Sequence, residues 1–182
     1  MTVVDVPDTD GMEWSDLEAL APGLMASARR AVERFGFVFA GTIRKDGSPR
    51  ISPVEAHVVD GRLMVALIPR TAKVRDLSRD PRITVQSALT RPDSPEPEFK
   101  ARGLVVEVDE RQRRAAAAAV ASSSGWQPGA QWRVCAIAMW SVAVLTWTDG
   151  DMVVERWNLR DGPLPPQRRR LDVHRGEYRL VD

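Results

Sequence analysis

The stretch Arg62–Pro81, RLMVALIPRTAKVRDLSRDP, decides how this chain folds. Its first part, residues 63–68, is apolar on both alternating faces, which indicates a strand buried on both sides. A basic loop, Pro69–Lys73, follows, and then a short helix with Val74 and Leu77 on its apolar face. The first amides of a helix lack intrahelical acceptors and bind anions. The stretch therefore predicts a buried strand, a helix, and an anion site where the two meet.

The residues before this stretch predict an antiparallel meander. Residues 37–43 and 50–59 have strand-like composition, and the turn sequences Asp46-Gly47 and Asp60-Gly61 lie between the successive strands. Asp-Gly between apolar segments is a strong signal for a tight hairpin turn. We therefore expect three consecutive strands, each paired with the next, with residues 63–68 as the third.

Further strands and helices are predicted on both sides of the meander. Upstream, Ser15 and Glu18 form a capping-box sequence, and a helix interrupted near Pro22 continues to Gly36. Downstream, Gly103 indicates a bulge or close packing within its strand. The downstream elements are strands at 82–89, 99–108, 132–147 (bent near Met139) and 152–159, and a helix that begins at Asp109.

About seven strands and three helices predict a mainly β fold with flanking helices (α+β), a small antiparallel barrel with helices packed outside it. Residues 1–13 are expected to form a flexible arm, residues 14–160 the domain, and residues 161–182 a proline-containing tail packed on the barrel or on a partner subunit.

The composition narrows the class of protein. Hydrophobic residues make up 43% of the chain and charged residues 28%, as in ordinary globular proteins, and a net charge of +1 gives no electrostatic reason to expect a nucleic-acid partner. Cys135 is the single cysteine, and we expect it to be a small apolar residue of the core. A chain without a second cysteine forms no internal disulfide, which suits a reducing compartment. The N-terminus lacks the features of a signal peptide, and the longest apolar run, 134–147, is shorter than the roughly 20 residues that span a bilayer. We expect a cytoplasmic protein without a membrane partner.

The loop after the third strand contains three residues whose side chains suit a phosphate. Arg70 offers a planar fork of donors, Lys73 offers a mobile charge, and Thr71 either caps the helix or donates to a phosphate oxygen. On the neighbouring strand, Ser52-Pro53 indicates an edge or bulge, where free backbone groups would suit the polar rim of a flat heterocycle. Gln86 is placed to reach the same ligand. A solvated basic loop beside an ordinary edge strand remains the alternative.

Other site types find little support in the sequence. His57 and His174 are the only histidines, and neither lies in a cluster of cysteines or carboxylates, so we expect no metal site. No residue stands out as a general acid or nucleophile, and catalytic residues remain unassigned.

The order of these motifs resembles a known family. A strand, an Asp-Gly hairpin, PRISPV, an Asp-Gly turn, an apolar strand, PRTAK and DLSRDPR are similar to the FMN-binding split-barrel group related to pyridoxamine 5′-phosphate oxidase. The resemblance covers roughly residues 37–108 and continues more weakly through 132–157. It implies an antiparallel split β-barrel of about six to seven strands and a homodimer with two flavin sites at the subunit interface.

The resemblance also implies cofactor contacts along two strands and the basic loop. Trp132 and Trp140 are candidates for closing the site from the second subunit. The residues expected to bind the cofactor are Arg50, Ile51, Ser52, Pro53, Val54, Ile68, Pro69, Arg70, Thr71, Lys73, Gln86 and Trp140.

Three functions are compatible with this resemblance. The first is an FMN-dependent oxidoreductase that transfers a hydride to or from a small substrate. The second is a reductase that uses the deazaflavin coenzyme F-420 on the same fold, with Arg44, Lys45 and Arg102 as candidates for its longer anionic tail. The third is a non-catalytic protein that binds or stores flavin or haem. Pro69 removes one amide donor from the phosphate loop, and the substrate-binding ending of true pyridoxamine phosphate oxidases is not evident near His174.

Overall fold

A computed structural model describes residues 11–91, 96–172 and 175–181 of the chain. Its helices and strands, in chain order, are α1 (Trp14–Leu20), α2 (Pro22–Glu33), β1 (Phe37–Ile43), β2 (Pro49–Val59), β3 (Arg62–Leu67), α3 (Ala72–Arg79), β4 (Arg82–Ser87), β5 (Glu98–Glu107), α4 (Glu110–Ser124), β6 (Arg133–Thr148), β7 (Asp151–Asn158), β8 (Gly162–Asp172) and β9 (Glu177–Val181).

Six strands close into an antiparallel barrel, as the sequence predicts. The strand order is β3-β2-β1-β4-β5-β6, and β3 also pairs with β6, which completes the ring. The sheet then continues outward from β6 through β7, β8 and β9. The mainly β fold with flanking helices is confirmed.

The predicted meander is confirmed, with β1 paired to β2 and β2 paired to β3. Both Asp-Gly turns need a left-handed backbone, since Gly47 has φ 82° and Asp60 and Gly61 have φ 50° and 72°. Glycine and aspartate tolerate this region better than most residues, which is why the sequence signal was reliable.

Strand β3 is buried on both faces, and the two faces belong to different cores. Leu63, Val65 and Leu67 point into the barrel, where they join the cluster around Trp14 and Phe99. Met64 and Ala66 point outward and are covered by α4. A barrel strand under a helix needs apolar residues at every position, and the stretch 63–67 supplies them.

Helix α4 covers this outer face with small residues. Ala116 and Val120 pack on β3 and β6, while the capping box between Asp109 and Gln112 fixes the start of the helix. On the opposite face of β6, which points into the barrel, Cys135 is fully buried, and burial raises the pKa of its thiol to about 11. The thiol therefore stays protonated at neutral pH, in keeping with its predicted place in the core.

Strand β6 carries a bulge at Trp140. Arg102 of β5 pairs with Ser141, whereas Gly103 pairs with Met139, so Trp140 has no partner on β5. The Trp140 carbonyl instead accepts a hydrogen bond from Leu159 at 2.8 Å. The bulge agrees with the bend predicted near Met139 and with the close packing predicted at Gly103.

The first helix begins two residues earlier than the sequence indicates. Glu13 and Asp16 form the capping box, with the Glu13 amide donating to the Asp16 carboxylate, so the prediction that Ser15 and Glu18 form it was wrong. Glu18 instead accepts from Trp14 and Arg29. Residues 1–10 of the predicted arm lie outside the described residues, and Met12 forms a bridge with Met139.

Two strands occupy most of the region predicted as a tail. The prolines of β8 lie at 163–166, before the segment that pairs with β9 and beside a register shift against β7. Proline is tolerated where a strand has a free edge or a bulge. Asp151, fully buried on β7, then holds β8 through Arg170 at 2.6 Å.

Candidate functional site

The start of α3 leaves its first amides without a side-chain acceptor. Thr71 is the N-cap residue, but its hydroxyl donates to the Ile68 carbonyl at 2.8 Å instead of accepting from the helix. Arg70, just before it, has φ 60°, a conformation that non-glycine residues adopt rarely and mostly in turns or at functional sites. The turn presents free amides at the positive end of the helix dipole, as an anion site requires.

A groove beside this helix start, here called the aromatic groove, has a volume of about 510 Å³. That volume lies within the roughly 300–1,000 Å³ of small-molecule sites. Trp126 and Trp132 form one wall, with ring centroids 4.1 Å apart. The residues that line the groove are Phe37, Pro53, Val54, Glu55, Ala66, Ile68, Lys73, Trp126 and Trp132.

The aromatic groove contains two charged side chains, one of each sign. Burial lowers the pKa of Lys73 and raises the pKa of Glu55, because both groups are partly removed from water. The Lys73 ammonium donates to the Pro53 carbonyl at 3.1 Å. Lys73 is thus the cation that an anionic ligand in this groove would meet.

Pro53 occupies a free segment of β2. Pairing of β2 with β3 begins only at Glu55, so residues 50–54 are paired with β1 alone. This explains why a proline is tolerated within the strand and why its carbonyl is free to accept from Lys73. The prediction that Ser52-Pro53 marks an edge is confirmed.

A second cavity, here called the basic cavity, lies on the other side of the α3 start and has a volume of about 660 Å³. Its lining residues are Arg44, Lys45, Asp46, Arg50, Ala72, Arg75, Asp76 and Arg79. Asp76 is buried and accepts from Arg50 at 2.6 Å and from Thr42 at 3.2 Å. The hydrogen bond from Arg50, with a smaller one from Thr42, lowers the pKa of Asp76.

Asp76→Asn is expected to change how stability depends on acid. Since the pKa of Asp76 is depressed in the folded state, its contribution to the free energy of unfolding is present above about pH 4, the unfolded pKa, and is lost below it. The variant should be less stable at pH 7 and lose less stability between pH 5 and pH 2.5. Urea unfolding at several pH values measures both effects, and parallel pH profiles would contradict this account.

The structure divides the predicted cofactor residues among several places. Pro53, Val54, Ile68 and Lys73 line the aromatic groove, whereas Arg50 lines the basic cavity. Pro69, Arg70 and Thr71 form the turn before α3, and Ser52 lies on the free segment of β2. Ile51 (75% exposed) and Gln86 point outward from the barrel.

The two predicted tryptophans lie far apart in the fold. Trp132 lines the aromatic groove of its own chain. Trp140 lies in a different cavity, with Arg102, Arg156 and Trp157. The bulge gives Trp140 a position that no alternating pattern predicts, so within one chain it does not reach the groove.

The sequence prediction missed three groove residues, Phe37, Glu55 and Trp126. Phe37 and Glu55 are directly opposite each other on β1 and β2, so pairing the two predicted strands residue by residue across the Asp46-Gly47 turn would have brought them together. Trp126 follows Gly125, whose left-handed conformation ends α4. An aromatic residue directly after a helix-ending glycine was the available clue.

The described residues set limits on other kinds of site. Within them, no group of three or more His, Cys, Asp and Glu side chains could hold a metal ion. Among the helices described, none is both long and apolar enough to cross a membrane.

Comparison with known proteins identifies relatives by sequence and by fold. The family described as Pyridoxamine 5′-phosphate oxidase matches residues 24–140. No curated protein matches the chain in sequence. PhzG from Burkholderia lata 383, solved with tetrahydrophenazine-1-carboxylic acid, is similar in structure, with a TM-score of 0.56 and 12% identity over 92% of this chain and 98% of its own.

Two further solved structures share the fold. An F420 reductase has a TM-score of 0.50 and 17% identity, covering 66% of this chain and 95% of its own. A heme binding protein from Mycobacterium smegmatis has a TM-score of 0.57 and 18% identity, covering 70% of this chain and 55% of its own. At such low identities these similarities establish the fold alone.

Proposed function

Since the chain belongs to the pyridoxamine 5′-phosphate oxidase family, we propose that it is an oxidoreductase that binds a flavin-type cofactor, FMN or the deazaflavin F-420, in the aromatic groove. The observation that carries this proposal is the position of Lys73. Its ammonium lies where the apolar groove meets the uncapped start of α3, so a flat ring and a phosphate have adjacent places.

The residues present fit such a cofactor. A ring needs flat apolar walls, which Phe37, Trp126 and Trp132 supply, and stacking on aromatic side chains is favourable. A phosphate needs amide donors and cations, which the α3 turn, Arg70 and Lys73 supply. Pro69 lacks an amide hydrogen, so the two side chains provide more of the binding than in a loop with a full set of amides.

The residues of this chain would act by binding, orienting and excluding water. A bound flavin or deazaflavin would supply hydride chemistry, which side chains cannot perform. Lys73 would bind the phosphate and would thereby determine how far along the groove the ring lies. The Trp126 and Trp132 wall would shield the ring from water, and Glu55, whose pKa is raised by burial, would hold a proton beside it at higher pH than an exposed glutamate.

We also propose that the chain works as a cytoplasmic homodimer acting on a small molecule. The outer face of β1 and β2 exposes Phe39 and Ile51, two large apolar side chains on adjacent strands. This face adjoins the aromatic groove through Phe37 and Pro53. A second copy covering it would close the groove and exclude more water from the ring.

One experiment tests both proposals. The purified protein is saturated with FMN or F-420 and passed through a sizing column with light scattering and absorbance detection. We expect one peak with about twice the 20.2 kDa chain mass and cofactor absorbance near one equivalent per chain. A protein that elutes free of both cofactors refutes the oxidoreductase proposal, and a peak at the mass of one chain refutes the dimer.

A further inference from the structure

Another cavity, here called the β7 cavity, lies where β7 turns into β8 and has a volume of about 330 Å³. Its walls come from β5, the bulge of β6, the end of β7, the turn after it and the start of β8. None of its lining residues also lines the aromatic groove or the basic cavity. The volume is at the lower end of the range for small-molecule sites, so the β7 cavity suits a small ligand.

Two irregular strand pairings lie beside the β7 cavity. Trp140 is the bulged residue of β6, and the register between β7 and β8 shifts just before Arg156. The turn after β7 is fixed by Asn158, whose side-chain oxygen accepts from the amides of Arg160 and Asp161 at 3.0 and 2.9 Å. Bulges redirect side chains and are frequent next to active sites. Hydrogen bonds thus hold this wall in place without a ligand.

Two N–H donors on residues that line the β7 cavity have no acceptor within the part of the chain that the structure describes. One is the indole N–H of Trp157, a side chain that is only 3% exposed, and the other is the Nε–H of Arg156. A buried donor without an acceptor costs free energy, and folded proteins contain few of them. The two donors therefore call for an acceptor that these described residues do not provide.

Positive charge and aromatic walls accompany this pair of donors. Three arginines and one carboxylate line the β7 cavity, an excess of two positive charges. Trp140 and Trp157 line it as well, and indole rings pack well against other flat rings. A carboxylate has two oxygens that can accept from an indole N–H and a guanidinium, and hydrogen bonds to a charged acceptor are the stronger kind. The walls thus suit a flat apolar body that carries a carboxylate.

We propose that the β7 cavity binds a small aromatic carboxylate at a site separate from the aromatic groove. The carboxylate accepts from the Trp157 indole N–H and the Arg156 Nε–H, which satisfies both donors, and the ring packs against Trp140. Both nitrogens have almost no accessible surface, so the surrounding side chains shift slightly when the ligand enters. This inference goes beyond the proposed oxidoreductase function and holds whether or not the groove binds a flavin.

The test is a calorimetric titration with benzoate, in which acetate and benzamide serve as probes that lack the ring and the charge, respectively. The proteins are the wild type, the variants Trp157→Phe and Arg156→Gln, and the matched controls Trp14→Phe and Arg114→Gln. Each control side chain lies outside the β7 cavity and has a hydrogen-bond partner of its own. Thermal unfolding without ligand shows which variants are folded. If Trp157→Phe is not folded, Arg156→Gln decides the test.

We expect the wild type to bind benzoate about tenfold or more tightly than acetate or benzamide. Each of the two cavity variants should lose about tenfold in benzoate affinity, because one charge-assisted hydrogen bond is removed. The controls should match the wild type, and saturating FMN or F-420 should leave benzoate affinity unchanged. Wild type that does not bind benzoate, or folded cavity variants that bind it normally, would overturn the inference. Displacement of benzoate by either cofactor would also overturn it, since the cavity would then belong to the cofactor site.

Discussion

Lys73→Met is expected to lower the affinity for FMN or F-420 by about ten- to a hundredfold, because a hydrogen bond to a charged group contributes about 1.5–3 kcal/mol. The ammonium of Lys73 is the one cation that lines the aromatic groove within the described residues. Methionine keeps an apolar stem of similar length, so the groove should keep its shape. Arg70→Gln should weaken binding further, and the double variant should lose the cofactor during purification. Fluorescence titration with each cofactor measures the losses.

A matched lysine elsewhere separates this effect from a general loss of charge. Lys100 lies on β5 and pairs with Glu98, away from both the groove and the basic cavity, so Lys100→Met should bind the cofactor as the wild type does. Thermal unfolding of both variants without cofactor should be similar. Equal affinity in Lys73→Met and wild type would show that the phosphate is held elsewhere, and the proposed position of the cofactor would then be wrong.

The barrel was predictable because its signals are local. Two Asp-Gly turns fix the register of three strands, and the double-sided apolar pattern of residues 63–67 fits only a strand covered on both faces. Each signal involves residues close in sequence, so local sterics and hydrophobicity determine it. The two strands after residue 161 were not predicted, because three prolines suggest a tail unless the free edge and the bulge that accommodate them are known.

The candidate site was only partly predictable, because two of its features depend on distant contacts. Arg50 was expected along the cofactor, but buried Asp76, 26 residues later, draws its guanidinium into the basic cavity. Trp126 reaches the groove because α4 packs across β3 and ends above β2. No spacing in the sequence encodes either contact. The segment 69–73, by contrast, lies where β3 and α3 meet, as the sequence predicts, although residues 72 and 73 already belong to the helix.

Gly103→Ala is expected to be among the most destabilising single changes in the barrel. A Cβ atom at this position would lie 2.9 Å from the Ala138 carbonyl carbon and closer still to its oxygen. Those are backbone atoms of the paired strand, so relief requires β5 and β6 to separate at the bulge. Overpacking of this kind costs about 3 kcal/mol, which would lower the melting temperature of a chain of this size by about 6–12 °C.

Gly23→Ala is the matched control, since both changes add one methyl group. Gly23 lies in α2 with no atom within 4 Å of the added Cβ, so alanine should raise helix propensity and leave stability unchanged or higher by up to about 1 kcal/mol. Differential scanning calorimetry of the two variants compares them directly.

Gly103→Ala is also expected to affect the candidate site. Because β5 and β6 meet at this bulge and β6 also pairs with β3, separating β5 from β6 would loosen the strand that leads to the α3 turn. Gly103→Ala should therefore also bind cofactor more weakly, and a stable variant with normal binding would contradict the packing argument.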